Sequence, residues 1–143
     1  MAQLILTEAG AYQLLKQSIG LERPEPIKVC LYINPHQPSR KDEILHYVEM
    51  ASHGYTPRII NQLQWRPAHL EGGVKIVLAP PLIWTFNADV PVSVYGSFAV
   101  GVRRPDLLYW IDPLEKAPVL VEARGQQIEI QPCLGSVLAP LVS

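Results

Sequence analysis

Side chains with the types and spacing needed for catalysis or metal binding are few and widely separated. Four histidines, His36, His46, His53 and His69, lack the i,i+4 spacing of a helical zinc site, and no cysteine or carboxylate set with ligand spacing accompanies them. We interpret them as loop or surface side chains. The chain has no Gly-x-Ser-x-Gly, Gly-x-Gly-x-x-Gly or Walker pattern, and no acid and base pair can be named. The sequence therefore predicts a non-enzymatic protein with no catalytic residues, no metal ligands and no cofactor.

The two cysteines, Cys30 and Cys133, are far apart in the sequence and each has apolar neighbours. No Cys-x-x-Cys motif is present, so there is no redox or zinc signal. An unpaired cysteine in a reducing compartment behaves as a small buried apolar residue. We expect both thiols to be free, with a disulfide as the alternative.

Charge and composition argue against two classes of partner, nucleic acids and anionic membranes. The chain has 143 residues, 12 Lys+Arg against 13 Asp+Glu, and a net charge of −1. Nucleic acid and anionic membranes both select clustered positive charge, which is missing here. The apolar runs are far shorter than a membrane span, and the first residues do not resemble a signal peptide. We expect synthesis in a cytoplasm and no nucleic-acid or membrane partner.

Proline spacing determines which elements can form. The chain has 14 prolines spread along its length, and each one interrupts a helix interior. Residues 7–20 contain no proline. Thr7 can cap a helix there, Gly20 can end it, and apolar residues recur between them at helical spacing, at Tyr12, Leu15 and Ile19. The sequence predicts one N-terminal α-helix there.

The rest of the chain favours short strands. Alternating apolar residues between turn signals predict about eight of them, with a hairpin turn at Arg124-Gly125 and a short helical turn at 39–45. The predicted strands are 27–33, 55–60, 74–79, 82–86, 92–102, 107–111, 119–123 and 127–131. The expected fold is a single mainly β domain over residues 1–143, an antiparallel β-sandwich or barrel with one N-terminal helix.

Three tryptophans, Trp65, Trp84 and Trp110, lie on or beside predicted strands. Large aromatic side chains dominate sandwich cores, so core packing is the first interpretation. A surface platform that stacks on sugars and an anchor in an oligomer interface are the alternatives. The sequence does not separate these three roles.

A series of short motifs runs along the chain: Gly54-Tyr55, Trp65, 84–86, 94–100, 107–110 and 125–132. Their order resembles that of small β-rich virion proteins of tailed bacteriophages. In that group an N-terminal helix and a strand ending near Asn-Pro precede a Gly-Tyr pair, a tryptophan, a Tyr-Gly-aromatic strand and a Leu-x-x-Trp-like strand, and the last element is an apolar strand after a glycine, followed by proline. The resemblance covers nearly the whole chain.

The resemblance implies a structural role in a virion. We expect a capsid cement or decoration protein whose partners are the major capsid protein and further copies of itself, as a trimer. A tail or baseplate adaptor of the same particle is one alternative. A carbohydrate- or receptor-binding β-sandwich, with a glycan as ligand, is the other.

Both ends of the chain are too apolar for free tails. We expect them to dock, either on the chain's own core or, in the functional interpretation, as arms on a neighbouring subunit, with 132–143 as the C-terminal arm. The expected interface residues are Leu4, Ile5, Leu6, Leu134, Val137, Leu138, Leu141 and Val142.

Overall fold

The structure, a computed structural model, describes residues 4–69 and 75–135. These residues form one α-helix, α1 (Glu8–Ser18), and two short 3₁₀ turns, Ile44–His46 and Gln62–Gln64. They also form twelve strands: β1 (Ile5–Leu6), β2 (Ile27–Tyr32), β3 (Arg58–Ile60), β4 (Arg66–His69), β5 (Lys75–Leu78), β6 (Leu82–Thr85), β7 (Val92–Val94), β8 (Gly96–Gly101), β9 (Leu108–Pro113), β10 (Val119–Val121), β11 (Gln127–Ile130) and β12 (Cys133–Gly135).

The predicted N-terminal helix is confirmed, and its two ends form as expected. The Thr7 hydroxyl accepts a 2.8 Å hydrogen bond from the Gly10 N–H, which satisfies one of the free donors of the first turn. The same hydroxyl donates to the Leu108 carbonyl at 2.5 Å and so ties the helix start to β9. Gly20 follows the helix at φ +80°, a left-handed conformation that glycine adopts without strain.

A five-stranded antiparallel sheet in the order β1-β9-β8-β2-β3 organises the fold. All six residues of its middle strand, β8, are buried. One face of the sheet carries side chains of the main core, among them Val29, Leu31 and Trp110. The other face carries a second apolar cluster that includes Tyr32, Phe98 and the loop residue Tyr47. A sheet buried on both faces needs a covering layer on each side.

Three smaller antiparallel sheets supply the layer over the main core. Their strand orders are β12-β5-β4, β11-β6 and β10-β7. Trp84 and Ile128, a cross-strand pair in β6 and β11, join the same core cluster as the β2 side chains. The predicted mainly β antiparallel fold is therefore confirmed as layered sheets, and no closed barrel forms among the described residues.

Strand number and pairing differ from the expectation. Within residues 4–69 and 75–135, twelve strands form rather than about eight, because the predicted strand 92–102 divides at Tyr95 and because the sequence did not predict β1, β4 and β12. At Tyr95 the backbone N–H donates to Tyr32 and the carbonyl accepts from Leu114, so β7 leaves the large sheet and pairs with β10. β4 contains Pro67, which is tolerated because β4 is an edge strand.

The prediction that the strands on either side of Arg124-Gly125 form a hairpin is wrong. A turn does form there, with Gly125 at φ +84° and a 3.1 Å bond from the Gln126 N–H to the Ala123 carbonyl. The flanking strands do not pair with each other, however: β10 pairs with β7 and β11 pairs with β6. The predicted helical turn at 39–45 is replaced by the shorter 3₁₀ turn at Ile44–His46.

The described ends of the chain dock on the chain's own fold. Ile5 and Leu6 pair with β9, and Leu4 and Leu6 pack against the main core. Leu134 pairs with Val77 in β5 and also packs on that core. These contacts correspond to the alternative in which the ends of the chain dock on the chain's own core. Val137, Leu138, Leu141 and Val142 of the expected arm lie outside the described residues. Cys30 and Cys133 are both free thiols.

Gly10 allows α1 to lie directly against the sheet, which gives a test of this packing. A Cβ at Gly10 would lie 2.6 Å from the Tyr109 Cα and against the Tyr109 carbonyl oxygen, so Gly10→Ala must push the helix away from β9. We expect the free energy of unfolding to fall by about 1–3 kcal/mol in urea denaturation, the usual range for overpacking.

The matched control is the exposed neighbour Ala9, where Ala9→Gly should cost only the helix-propensity difference of about 1 kcal/mol or less. Propensity alone would make Gly10→Ala stabilising. A measured stabilisation would contradict the close contact between α1 and β9.

Candidate functional site

The inner face of α1 meets the sheet through small and polar side chains. Gly10, Ala11 and Gln13 are its buried residues. Gln17 donates a 3.0 Å hydrogen bond from Nε2 to the Tyr109 hydroxyl. Leu14, one turn after Gly10, is partly buried and packs against the main core. The helix is therefore held by the close backbone approach at Gly10, by Leu14 and by hydrogen bonds.

The outer face of α1 presents an apolar surface, which we call the helix stripe: Tyr12, Leu15, Ile19 and the following Leu21. Their exposed fractions are 64%, 44%, 71% and 71%. Lys16 lies beside it, with its ammonium 4.8 Å from the centre of the Tyr12 ring. Exposed apolar side chains that are contiguous and rimmed by charge are typical of a protein interaction surface. The sequence showed that Tyr12, Leu15 and Ile19 recur at helical spacing. It did not show which face of α1 would pack against the sheet.

The tryptophans are core residues. Trp84 and Trp110 are 2% and 1% exposed, and the Trp84 indole N–H donates to the Thr56 carbonyl at 2.8 Å. Trp65 is partly buried and packs edge-on against Trp110, with ring centres 6.0 Å apart. Core packing is thus the role that the structure shows for these side chains. Neither Trp84 nor Trp110 offers an open ring face to a sugar.

A polar cluster of His36, Asp42 and His46 lies in the loop between β2 and β3, over the second apolar cluster. The Asp42 Oδ2 atom accepts hydrogen bonds from the Tyr47 hydroxyl at 2.6 Å and the Ser39 N–H at 2.9 Å. It also lies 3.0 Å from His36 Nε2, and Oδ1 lies 3.5 Å from His46 Nδ1. The two imidazole rings are stacked, with centres 5.1 Å apart. Sequence reasoning did not bring these three residues together.

The Asp42 carboxylate is ionised and strongly held. Burial by itself would raise the pKa of Asp42, but the hydrogen bonds from Tyr47, Ser39 and His36 outweigh burial and lower this pKa from its ordinary value. Each of these donors favours the charged form. A negative charge is therefore fixed between two histidine rings that remain partly open to solvent.

A second buried carboxylate, Glu25, is fully used in holding the chain together. One oxygen accepts from the backbone N–H groups of Arg103 and Arg104 at 2.7 and 3.1 Å, and the other accepts from the Tyr109 hydroxyl at 2.7 Å. Glu22 pairs with the Arg104 side chain at 2.8 Å beside it. The shallow pocket between these side chains mixes both signs of charge. We interpret Glu25 as a structural brace between the segment before β2 and the turn after β8.

One serine and histidine pair has the contacts of a nucleophile and its base. Ser52 Oγ lies 2.6 Å from His53 Nδ1, and His53 Nε2 contacts the Val90 carbonyl. Because a carbonyl only accepts, the proton is on Nε2 and Nδ1 accepts from the serine. His53 and Gly54 have φ of +64° and +72°, so the pair fixes a tight left-handed turn. We interpret these contacts as support for that turn.

The buried thiol is not a nucleophile. Burial, reinforced by the charge of Glu49, raises the pKa of Cys30 to about 12. Since the thiolate is the reactive form, Cys30 stays protonated and inert at neutral pH.

Comparison of the chain with protein-family models, with curated proteins and with solved structures finds no match. Among the described residues, no helix is long and apolar enough to cross a membrane.

The Asp42 charge makes a testable contribution to stability. Asp42→Asn keeps the side-chain size but removes the charge, and we expect a loss of about 1.5–3 kcal/mol at pH 7, the range for a hydrogen bond to a charged group. A lowered pKa in the folded state means that this stability is present above the ordinary value of 3.8 and disappears as pH falls below it.

Urea denaturation at pH 7 and at pH 3, in buffer containing a chelator, measures both effects. The exposed Asp106→Asn is the control and should change stability little at either pH. An Asp42→Asn deficit that is as large at low pH as at pH 7 would contradict the assignment of a charged carboxylate.

Proposed function

We propose that the protein is a non-enzymatic structural subunit of a tailed-phage particle that decorates and stabilises the capsid. The resemblance to small virion proteins supports this proposal, since it runs from the N-terminal helix to the last strands. The protein would be made in the bacterial cytoplasm and would act in the virion. Its partners would be the major capsid protein and further copies of itself, as a trimer.

The observation that carries the proposal is the helix stripe. A lone domain gains nothing by exposing Tyr12, Leu15 and Ile19 while it buries Gln13 on the same helix. Fully burying one large apolar side chain contributes about 1.5–3 kcal/mol. The stripe alone barely offsets the cost of association, which is at least about 4 kcal/mol. A subunit that meets several neighbours at once on a shell overcomes that cost.

The mode of contact follows from the sheet edges. The large sheet ends in β1 and β3, which have only two and three residues. Edges this short give a neighbouring chain few backbone groups with which to pair. Strand addition at the large sheet is therefore disfavoured, and side-chain packing on the helix stripe is the contact that we propose for this subunit.

The alternative location in the same particle is the tail or baseplate, where the protein would act as an adaptor. The number of copies per particle distinguishes this location from the capsid. The glycan-binding alternative depended on open tryptophan faces, and the burial of Trp84 and Trp110 leaves it without support.

The first test is quantitative peptide mass spectrometry on density-purified particles from the source culture. The proposal expects a ratio to the most abundant shell protein near one, or a simple fraction such as one third. A few copies per particle would overturn the capsid location in favour of the tail. Absence from particles would overturn the virion role.

The second test changes the helix stripe directly. Leu15→Glu and Ile19→Glu alter exposed positions, so the variant should fold with a melting temperature close to that of the unchanged chain. We expect the double variant to bind particles that lack the protein at least about tenfold more weakly in co-sedimentation, because it places two charges in an apolar contact.

The control for this test is Leu63→Glu, at a position 97% exposed in the 3₁₀ turn Gln62–Gln64 and outside the helix stripe. It should bind like the unchanged protein. Equal binding by the stripe variant and the control would overturn the role of the stripe.

A further inference from the structure

The sequence segment between β2 and β3 places three metal-ligating side chains together. His36 and Asp42 are in the loop after β2, and His46 ends the 3₁₀ turn Ile44–His46. Each residue offers one ligand atom, and the three atoms lie within 4.8 Å of one another. Zinc bonds of about 2.0–2.1 Å in a tetrahedral site place ligand atoms about 3.3 Å apart. The two Asp42 oxygens each lie near one ring, with Oδ2 3.0 Å from His36 Nε2 and Oδ1 3.5 Å from His46 Nδ1, so small side-chain rotations bring one ligand atom from each residue to that spacing.

Two acceptor atoms, Asp42 Oδ1 and His46 Nδ1, lie close together in this cluster. His46 Nδ1 accepts a 3.0 Å hydrogen bond from the Glu43 backbone N–H, so Nδ1 carries no proton. Asp42 directs its three hydrogen bonds to Oδ2, and Oδ1 lies 3.5 Å from the unprotonated Nδ1. The single lone pair of Nδ1 is used by the Glu43 N–H, so the His46 ring must turn before Nδ1 and Oδ1 can bind one cation.

We propose that His36, Asp42 and His46 bind one divalent transition-metal ion, with Zn²⁺ as the representative. Two imidazoles and one carboxylate suit zinc, cobalt and nickel, whereas magnesium and calcium prefer oxygen ligands. Three protein ligands leave a fourth position for water. The proposal does not depend on the virion role.

Access and anchoring both fit a metal site. The Asp42 side chain is 7% exposed, whereas those of His36 and His46 are 30% and 38% exposed. The carboxylate is fixed by Tyr47 and Ser39, which act as outer partners that orient a ligand. The imidazoles are open enough to turn. They must tilt out of their parallel stack, because a metal ion lies in the plane of each ring that binds it.

Proton placement is consistent with neutral ligands. His36 donates from Nε2 to the Asp42 carboxylate, and metal binding at this atom moves the ring proton to Nδ1, which keeps the ring neutral. His46 Nδ1 already carries no proton, since it accepts from the Glu43 N–H. The ion gives up water ligands, and His46 exchanges the Glu43 N–H for a metal bond.

The test uses the full chain stripped of metal with EDTA and titrated with ZnCl₂ by calorimetry. We expect one Zn²⁺ per chain. The double variant His36→Gln/His46→Asn places an amide N–H where His36 Nε2 donated and an amide oxygen where His46 Nδ1 accepted, so the loop keeps its hydrogen bonds but loses its imidazole ligands. Its affinity should fall at least about tenfold.

His69→Gln, an exposed histidine on β4, is the matched control and should bind Zn²⁺ as the unchanged chain does. A second measurement on the unchanged chain guards against a variant that fails to fold. Paramagnetic Co²⁺ should shift the ring-proton resonances of His36 and His46 but leave those of His69 in place, with no thiolate charge-transfer band. Absence of stoichiometric Zn²⁺ binding, equal binding by the double variant, or a thiolate band would overturn the proposal.

Discussion

The burial of β8 between β2 and β9 is the constraint on which the rest of the structure depends. Every residue of Gly96–Gly101 is buried, so both faces of the large sheet must be covered. The three smaller sheets cover one face around Trp84, and the loop carrying Tyr47 helps to cover the other. Trp84, Trp110 and Phe98 are thereby buried in the chain's own core. The outer face of α1 is left exposed, because the helix contacts β9 at Gly10 through its inner face.

Local signals predicted the elements that depend on local interactions. The Thr7 cap and Gly20 defined α1, and alternation defined β2, because capping and period-two patterning act within a few residues. Pairing was harder to predict. The division of 92–102 at Tyr95 depends on backbone bonds to Tyr32 and Leu114, which are distant in sequence. The face of α1 that would be buried also depended on a distant contact, with Tyr109.

The polar cluster shows the same limit at the level of a site. His36, Asp42 and His46 are spaced by six and four residues in a loop whose helical part is the 3₁₀ turn Ile44–His46, so no single helical or strand period brings all three together. They meet because the Asp42 N–H bonds to the Ser39 carbonyl and the His46 N–H bonds to the Glu43 carbonyl, two successive turns that reverse the chain. A search for a histidine, an acid and a second histidine within about a dozen loop residues would have identified the candidates. It would not have shown that Oδ2 takes three hydrogen bonds while Oδ1 lies beside His46 Nδ1.

The proposed assembly role and the proposed metal site use separate parts of this molecule. The helix stripe follows from how α1 packs, and the His36 cluster follows from how the loop covers the second apolar cluster. In the proposed virion role the stripe is buried in the assembled particle. Hydroxyl-radical footprinting of free protein and of purified particles, read at Tyr12, Leu15 and Ile19 by peptide mass spectrometry, tests this burial. We expect strong labelling in the free chain and protection on the particle, with Leu63 labelled in both. Equal labelling of the stripe in both states would show that the particle does not cover it.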